Sequence, residues 1–176
     1  IASKKVYRPT SDQVATLSFY KNNIVHLFIL YSLICESLKF IKIAPKDEII
    51  KLVEMIYPIF ARDFHLKNEI IDKESISDAI KVLQVKDILV EDKNGNIMPP
   101  AETSIVFQNY VALSNLCEPS LKRFYIVMST IWKSESLLKE DLNSKCKKLA
   151  EDLEEIEGWP YPEFSDKAKF DNFVYM

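Results

Sequence analysis

Along most of the chain, apolar residues recur at helical spacing. "RPTSDQV" opens the pattern, with Pro9 followed by Thr10 and, three positions on, Gln13. That is the spacing of a capping box, and a long helical segment is predicted from there toward Phe40. Within it, Ile24 to Cys35 is nearly all apolar, broken by His26 and Ser32. A bilayer crossing needs about 20 such residues, so a run of this length reads as a buried or interfacial helix. "APKDEIIKLVEMIYPIF" predicts a second helix, with Pro45 near its first turn and acids just inside it. Pro58 lacks an N–H and its ring crowds the preceding turn, so a kink or an end is expected near Tyr57. "DKESISDAIKVLQ" predicts a third helix, with Ile76, Ala79, Ile80 and Leu83 on one apolar face.

The period changes at "DILVEDKNGNIMPP". Ile88, Leu89 and Val90 predict a strand, Asn94-Gly95 a hairpin turn through positive φ, and Ile97 and Met98 the return. Helix, helix and hairpin over about 46–99 is a winged-helix-like outline. The rest is helical again. One segment covers Ile105 to Cys117. Another runs from Pro119 to about Ser134, with a stripe of Leu121, Phe124, Tyr125, Met128, Ile131 and Trp132. A third uses Leu138, Leu142, Leu149, Leu153 and Ile156, with Gly158 as its stop. "GWPYPEF" holds two prolines in three residues and predicts an aromatic surface connector; a last helix should start at Ser165 or Asp166. The expected fold class is therefore mainly α: one multi-helix domain over 1–176 with a single small β-hairpin.

Composition narrows what such a domain can do. The chain has 176 residues, 48% of them hydrophobic and 28% charged, enough for one core and unlike a disordered segment. Only 2 residues are Gly, which leaves no glycine-rich phosphate loop. The net charge is -3. From Asp72 to Pro99, six acids face four bases, the wrong sign for a recognition helix and wing, so no nucleic-acid partner is expected. The hairpin reads instead as a closure of the helical core. Cys35, Cys117 and Cys146 form no C-x-x-C pair and read as reduced thiols of a cytosolic protein. The 2 histidines lie near no cysteine pair, so neither a metal nor a cofactor is expected. No secretory signal is visible. The start at Ile1 and the apolar end "DNFVYM" read as a piece of a longer protein.

Candidate chemistry is sparse. The acidic run Glu151, Asp152, Glu154, Glu155 and Glu157 is interrupted at helical spacing and reads as a solvated face. His65 follows a helix end, where a cation complements the dipole. "FYKNNIVHLF" is the richer stretch. Asn22 and His26 are four apart and share a helix face, Asn23 lies on the adjacent face, and Tyr20 and Lys21 add a phenol and a cation. Buried amides and imidazoles must be hydrogen-bonded. The stretch therefore reads as a polar seam that satisfies neighbouring backbone, or as a contact with another domain or ligand. No acid stands near His26 in sequence to make it a general base.

Taken in order, "VYRPTSDQVATLSFYKNNIVHLF", "LVEMIYPIFARDFHL", "SLKRFYIVMSTIW" and "PEFSDKAKF" resemble the C-terminal region of the bacterial membrane-associated sn-glycerol-3-phosphate acyltransferases. In that family a tyrosine, a base, two asparagines and a histidine open the region; Tyr20, Lys21, Asn22, Asn23 and His26 match. Tyr57-Pro58 matches a following "YP". Pro162, Glu163, Phe164, Asp166, Lys167 and Ala168 match a closing "PEFFDKA"-like stretch, with Ser165 in place of the second aromatic. The resemblance covers nearly the whole chain. It implies a parent enzyme that moves a fatty acyl group from acyl carrier protein or coenzyme A to the 1-hydroxyl of glycerol 3-phosphate, giving lysophosphatidic acid. It places that parent at the cytoplasmic face of the bacterial inner membrane, with a membrane surface as a further partner.

The family's catalytic unit is H-x-x-x-x-D, in an upstream domain. Five residues after His26 stands Tyr31, and five after His65 stands Ile70. No catalytic or substrate-binding residue carries over. The resemblance thus implies a non-catalytic, soluble C-terminal domain packed on an upstream acyltransferase domain. Tyr20, Lys21, Asn22, Asn23, His26, Asp166 and Lys167 are its candidate structural or interdomain seam. The alternative is a free-standing winged-helix-like interaction module.

Overall fold

The computed structural model describes residues 10, 13, 17, 24–134, 138–157 and 170–171. At the N-terminal end the Thr10 N–H donates to Gln13 Oε1 at 2.9 Å, the return half of a capping box. The long helix expected toward Phe40 is not continuous. A 3-10 turn, Val25–Leu27, closes with the Phe28 N–H on the Val25 carbonyl, and α1 (Ile29–Ile41) begins after it. Lys42, at φ 67°, ends α1 and turns the chain into the short strand β1 (Ala44–Pro45).

Helix α2 (Lys46–Asp63) follows, with Asp47 and Glu48 in its first turn, where carboxylates meet the positive end of the dipole. Of the two outcomes the sequence allows near Tyr57, a kink or an end, the end does not occur: the helix runs through Pro58 to Asp63. An interior proline costs about 3 kcal/mol. Downstream, Phe60 and Ala61 are fully buried, and full burial of one large apolar side chain gives about 1.5–3 kcal/mol. Continuing the helix offsets the proline.

Helix α3 (Lys73–Val85) is capped by Asp72, whose Oδ1 accepts the Ser75 N–H at 2.7 Å and whose Oδ2 accepts the Ser75 hydroxyl at 2.9 Å. Ile76, Ala79, Ile80 and Leu83 all face inward, as their spacing requires. In a chain this poor in glycine, α2 and α3 close on other residues. His65 (φ 51°) and Asp87 (φ 56°) take the left-handed position. The N–H groups of Leu66 and Ile88 then reach back to the carbonyls of Ala61 and Leu83, the longer bond of a Schellman motif.

The hairpin consists of β2 (Val90–Glu91) and β3 (Asn96–Met98). Ile88 and Leu89, expected in the strand, lie in the turn leaving α3, with Leu89 buried. Of Asn94 and Gly95, Gly95 alone has positive φ, so the turn is not the doubly left-handed type expected of that pair. The Asp92 carboxylate replaces it, accepting the N–H groups of Asn94 (2.7 Å) and Asn96 (2.9 Å). The sequence reading missed β1, which pairs with β3 (Ala44 opposite Ile97) and makes a three-stranded antiparallel sheet in the order β1-β3-β2. Two residues, one of them proline, carry no strand periodicity.

Three further helices follow: α4 (Phe107–Ser114), α5 (Glu118–Trp132) and α6 (Lys139–Glu157). The larger core gathers Leu33, Ile34, Val53, Phe60 and Ile80 from α1, α2 and α3, together with Ile97 of the sheet. A second cluster holds Ile126 and Val127 of α5, Leu142, Cys146 and Ala150 of α6, and Phe170. Ile59 packs against both. The structure is mainly helical with one small sheet. The connector "GWPYPEF" and the start of the last predicted helix lie outside the described residues.

Candidate functional site

The apolar run of α1 is core. Ile29, Leu33, Ile34, Cys35 and Leu38 are buried, while Ile24, Leu27 and Phe28 before them are exposed. Polar groups on α1 tie it to the C-terminal helices. The Cys117 N–H donates to Ser32 Oγ at 3.1 Å, and Tyr110 Oη donates to the Cys35 carbonyl at 3.0 Å. Glu36, only 2% exposed, has Lys39 Nζ at 3.5 Å. The same ammonium lies 3.6 Å from Glu118 and donates to Asn115 Oδ1 at 3.1 Å, and Lys122 sits 3.0 Å from Glu118. Burial pushes the Glu36 carboxyl above its usual range, and Lys39 offsets this only in part.

A second junction joins the C-terminal end of α2 to the first turns of α5. Asp63, Ser120 and Arg123 are all buried. Ser120 Oγ donates to Asp63 Oδ2 at 2.5 Å, and Arg123 Nη2 donates to that same oxygen at 3.2 Å and to Ser120 Oγ at 3.0 Å. Ser120 and Arg123 are three apart on one face of α5, so a single buried carboxylate engages both. Among the described residues, Asp63 Oδ1 and Arg123 Nε lack a hydrogen-bond partner. Each such buried group costs about 1–3 kcal/mol. The junction is thus a matched charge pair that holds two helices in register, with little surplus stability. Sequence reading missed it. The available signal was a lone arginine within the apolar "SLKRFYIVMSTIW", which needs an acid if that face turns inward.

The expected stripe on α5 divides accordingly. Ser120, Arg123, Ile126 and Val127 face inward, while Tyr125, Met128, Ile131 and Trp132 face solvent. Beside the 3-10 turn, Ile24, Phe28, Leu113 and Leu116 line a shallow groove of about 310 Å³, with Asn109 on its rim.

Of the proposed seam residues, Tyr20, Lys21, Asn22, Asn23, Asp166 and Lys167 lie outside the described residues. His26 is described: it sits in the 3-10 turn and is exposed, not buried on a continuous helix. His65 is exposed as well. Burial pushes the Cys35 and Cys117 thiols up to about 12, so both are protonated at neutral pH and neither is a thiolate nucleophile. Among the described residues no three His, Cys, Asp or Glu side chains group to hold a metal, and no helix is long and apolar enough to cross a membrane.

Fold and site together describe a mainly helical module whose buried polar groups join helices. The chain belongs to the family described as the glycerol-3-phosphate acyltransferase C-terminal region, which matches residues 2–176. It is 25% identical over 170 residues to a glycerol-3-phosphate acyltransferase of Alteromonas mediterranea, covering 97% of this chain and 21% of the relative. It is 26% identical over 159 residues to that of Pseudoalteromonas atlantica (90% and 20%) and 26% identical over 172 residues to that of Pseudomonas fluorescens (97% and 20%). The chain spans about a fifth of the length of these relatives. No solved structure matches it.

Proposed function

We propose that this chain is the C-terminal region of a glycerol-3-phosphate 1-O-acyltransferase and serves it as a non-catalytic scaffold or regulatory partner. The parent transfers a fatty acyl group from acyl carrier protein or coenzyme A to glycerol 3-phosphate, at the cytoplasmic face of the inner membrane. The observation that carries this reading is the family match over residues 2–176, against relatives about five times longer. The residues are consistent with it. Neither histidine has an aspartate five positions on, and two of the three thiols are held protonated. The seam of Tyr20, Lys21, Asn22, Asn23, His26, Asp166 and Lys167 is assigned to the join with the upstream domain, a place that suits the exposed His26.

The second reading, a free-standing winged-helix-like module, draws support from one observation. Helix α1, β1, α2, α3 and the hairpin follow in the order helix, strand, helix, helix, strand, strand, with β1 on the outer side of β3. Fold does not set function, however, and α3 and its hairpin carry more acid than base, so the segment suits a protein contact better than a nucleic acid.

The test of the main reading replaces both histidines in the full chain, His26→Ala with His65→Asn. Turnover should persist while folding is monitored in parallel. Abolished turnover in an enzyme that stays folded, with this region still associated with the upstream domain, would return the chemistry to this region.

A further inference from the structure

Helix α5 is apolar on two opposite sides. Its inner side packs on α6 through Ile126 and Val127. Its outer side carries Tyr125, Met128 and Trp132 at i, i+3 and i+7, one continuous ridge. Leu121, one turn earlier, packs against the larger core, whereas Tyr125 is 71% exposed, Met128 48% and Trp132 92%. The ridge runs ~10 Å along the helix. A helix that buries one apolar face and presents a second one, rich in aromatics, has a face that lacks a partner among the described residues. Tyr, Trp and Met are the residues enriched at the centres of protein interfaces.

We infer that this outer ridge of α5 is the docking surface for the upstream part of the same polypeptide, the four-fifths of the relatives' length that this chain does not include. The inference rests on the reading of the chain as a C-terminal region and names the surface by which that region is held. Size selects the occupant. A freely associating dimer needs about 800 Å² per partner, whereas large aromatic side chains bury about 150–250 Å² each. The two exposed aromatics, Tyr125 and Trp132, then supply about 300–500 Å², short of a self-sufficient dimer. They suffice for a tethered partner, because covalent linkage raises the effective concentration and lowers the contact area required. Charge argues against an anionic lipid surface. The ridge is bordered by the paired Glu118 and Lys122, not by a basic field, and the chain carries net charge -3.

The test is hydroxyl-radical footprinting of the full-length enzyme, read peptide by peptide by mass spectrometry. Met55 on α2, 68% exposed, is the internal reference. In the native full chain Met128 and Trp132 should oxidise several-fold more slowly than Met55. In the full-length double variant Tyr125→Asp, Trp132→Asp, Met128 should regain the rate of Met55 while the helical circular-dichroism signal is kept. Met128 oxidised as fast as Met55 in the wild-type full chain would overturn the inference. Protection that disappears on dilution, or that requires added vesicles of phosphatidylglycerol, would overturn it in favour of a second copy or a bilayer. Acyl transfer by the fragment alone would instead sink the underlying reading, whatever the footprint shows.

Discussion

Helices α1 and α5 both carry long apolar stretches and put them to opposite uses. α1 is buried on nearly every side from Ser32 to Leu38; of the polar groups caught there, Ser32 and Ser37 are satisfied locally or by the chain after α4, and Glu36 faces Lys39. α5 buries Ser120 and Arg123 beside Ile126 and Val127, and leaves Tyr125, Met128 and Trp132 in solvent. The difference comes from one residue on another helix. Asp63, at the end of α2, is buried, and the face of α5 bearing Ser120 and Arg123 answers it. Leaving that carboxylate unpaired would cost about 3–5 kcal/mol. The buried pair thus favours the observed facing of α5, whereas α1 is held mainly by buried apolar area.

The most damaging way to break this contrast is Arg123→Ala, which strands Asp63. We expect a loss of about 3–5 kcal/mol in urea unfolding, the usual cost of breaking one side of a buried pair. Replacing the three groups together, Asp63→Leu, Ser120→Ala and Arg123→Met, should come close to neutral, because well-packed apolar groups often match a buried ion pair. A triple variant as unstable as Arg123→Ala would mean that the junction contributes more than pairing. On α1, Leu33→Ala should cost about 2–5 kcal/mol by the same measurement, from lost transfer energy and the cavity left behind.

A smaller effect concerns Glu36. Burial raises its carboxyl, so the folded chain keeps that proton to higher pH than the unfolded chain. The resulting stability is complete below the usual value of 4.5 and is lost as pH rises through the raised value. Glu36→Gln should remove that decline, giving a flatter stability profile between pH 4.5 and neutrality. Identical profiles for the two proteins would locate the titration elsewhere. Asp72 has the opposite sign. The Ser75 N–H and hydroxyl hold its carboxyl below the usual range, so its capping contribution is present above the usual 3.8 and fades as pH falls through the depressed value. Asp72→Ala should speed amide exchange in the first turn of α3 and leave α5 unchanged. Trp132→Ala completes the series, and its stability should stay within about ±0.5 kcal/mol of the parent, as for exposed positions generally.

Much of the fold was legible because local signals and packing agree there. Ile76, Ala79, Ile80 and Leu83 reveal α3, Gly95 reveals the hairpin, and Thr10 with Gln13 reveals a helix start. What the sequence left open or missed shares a cause. The helix past Pro58, the two-residue strand at Ala44 and the facing of Tyr125 and Trp132 each involve a partner distant in sequence: the core around Phe60, the strand at Ile97 and the carboxylate of Asp63. Helical periodicity reports which residues share a face of α5. It does not report which of two apolar faces the rest of the chain needs. The family was legible from ordered short motifs, although the seam that carries the best of them lies mainly among residues whose placement is not described.

The claim at the centre of this account is that residues 1–176 contribute structure to an acyltransferase and no chemistry of their own. Incubating the purified chain with glycerol 3-phosphate and an acyl coenzyme A, and following lysophosphatidic acid by mass spectrometry, tests it most directly. The account predicts no product above the protein-free control. Product that accumulates in proportion to the amount of this chain would contradict it.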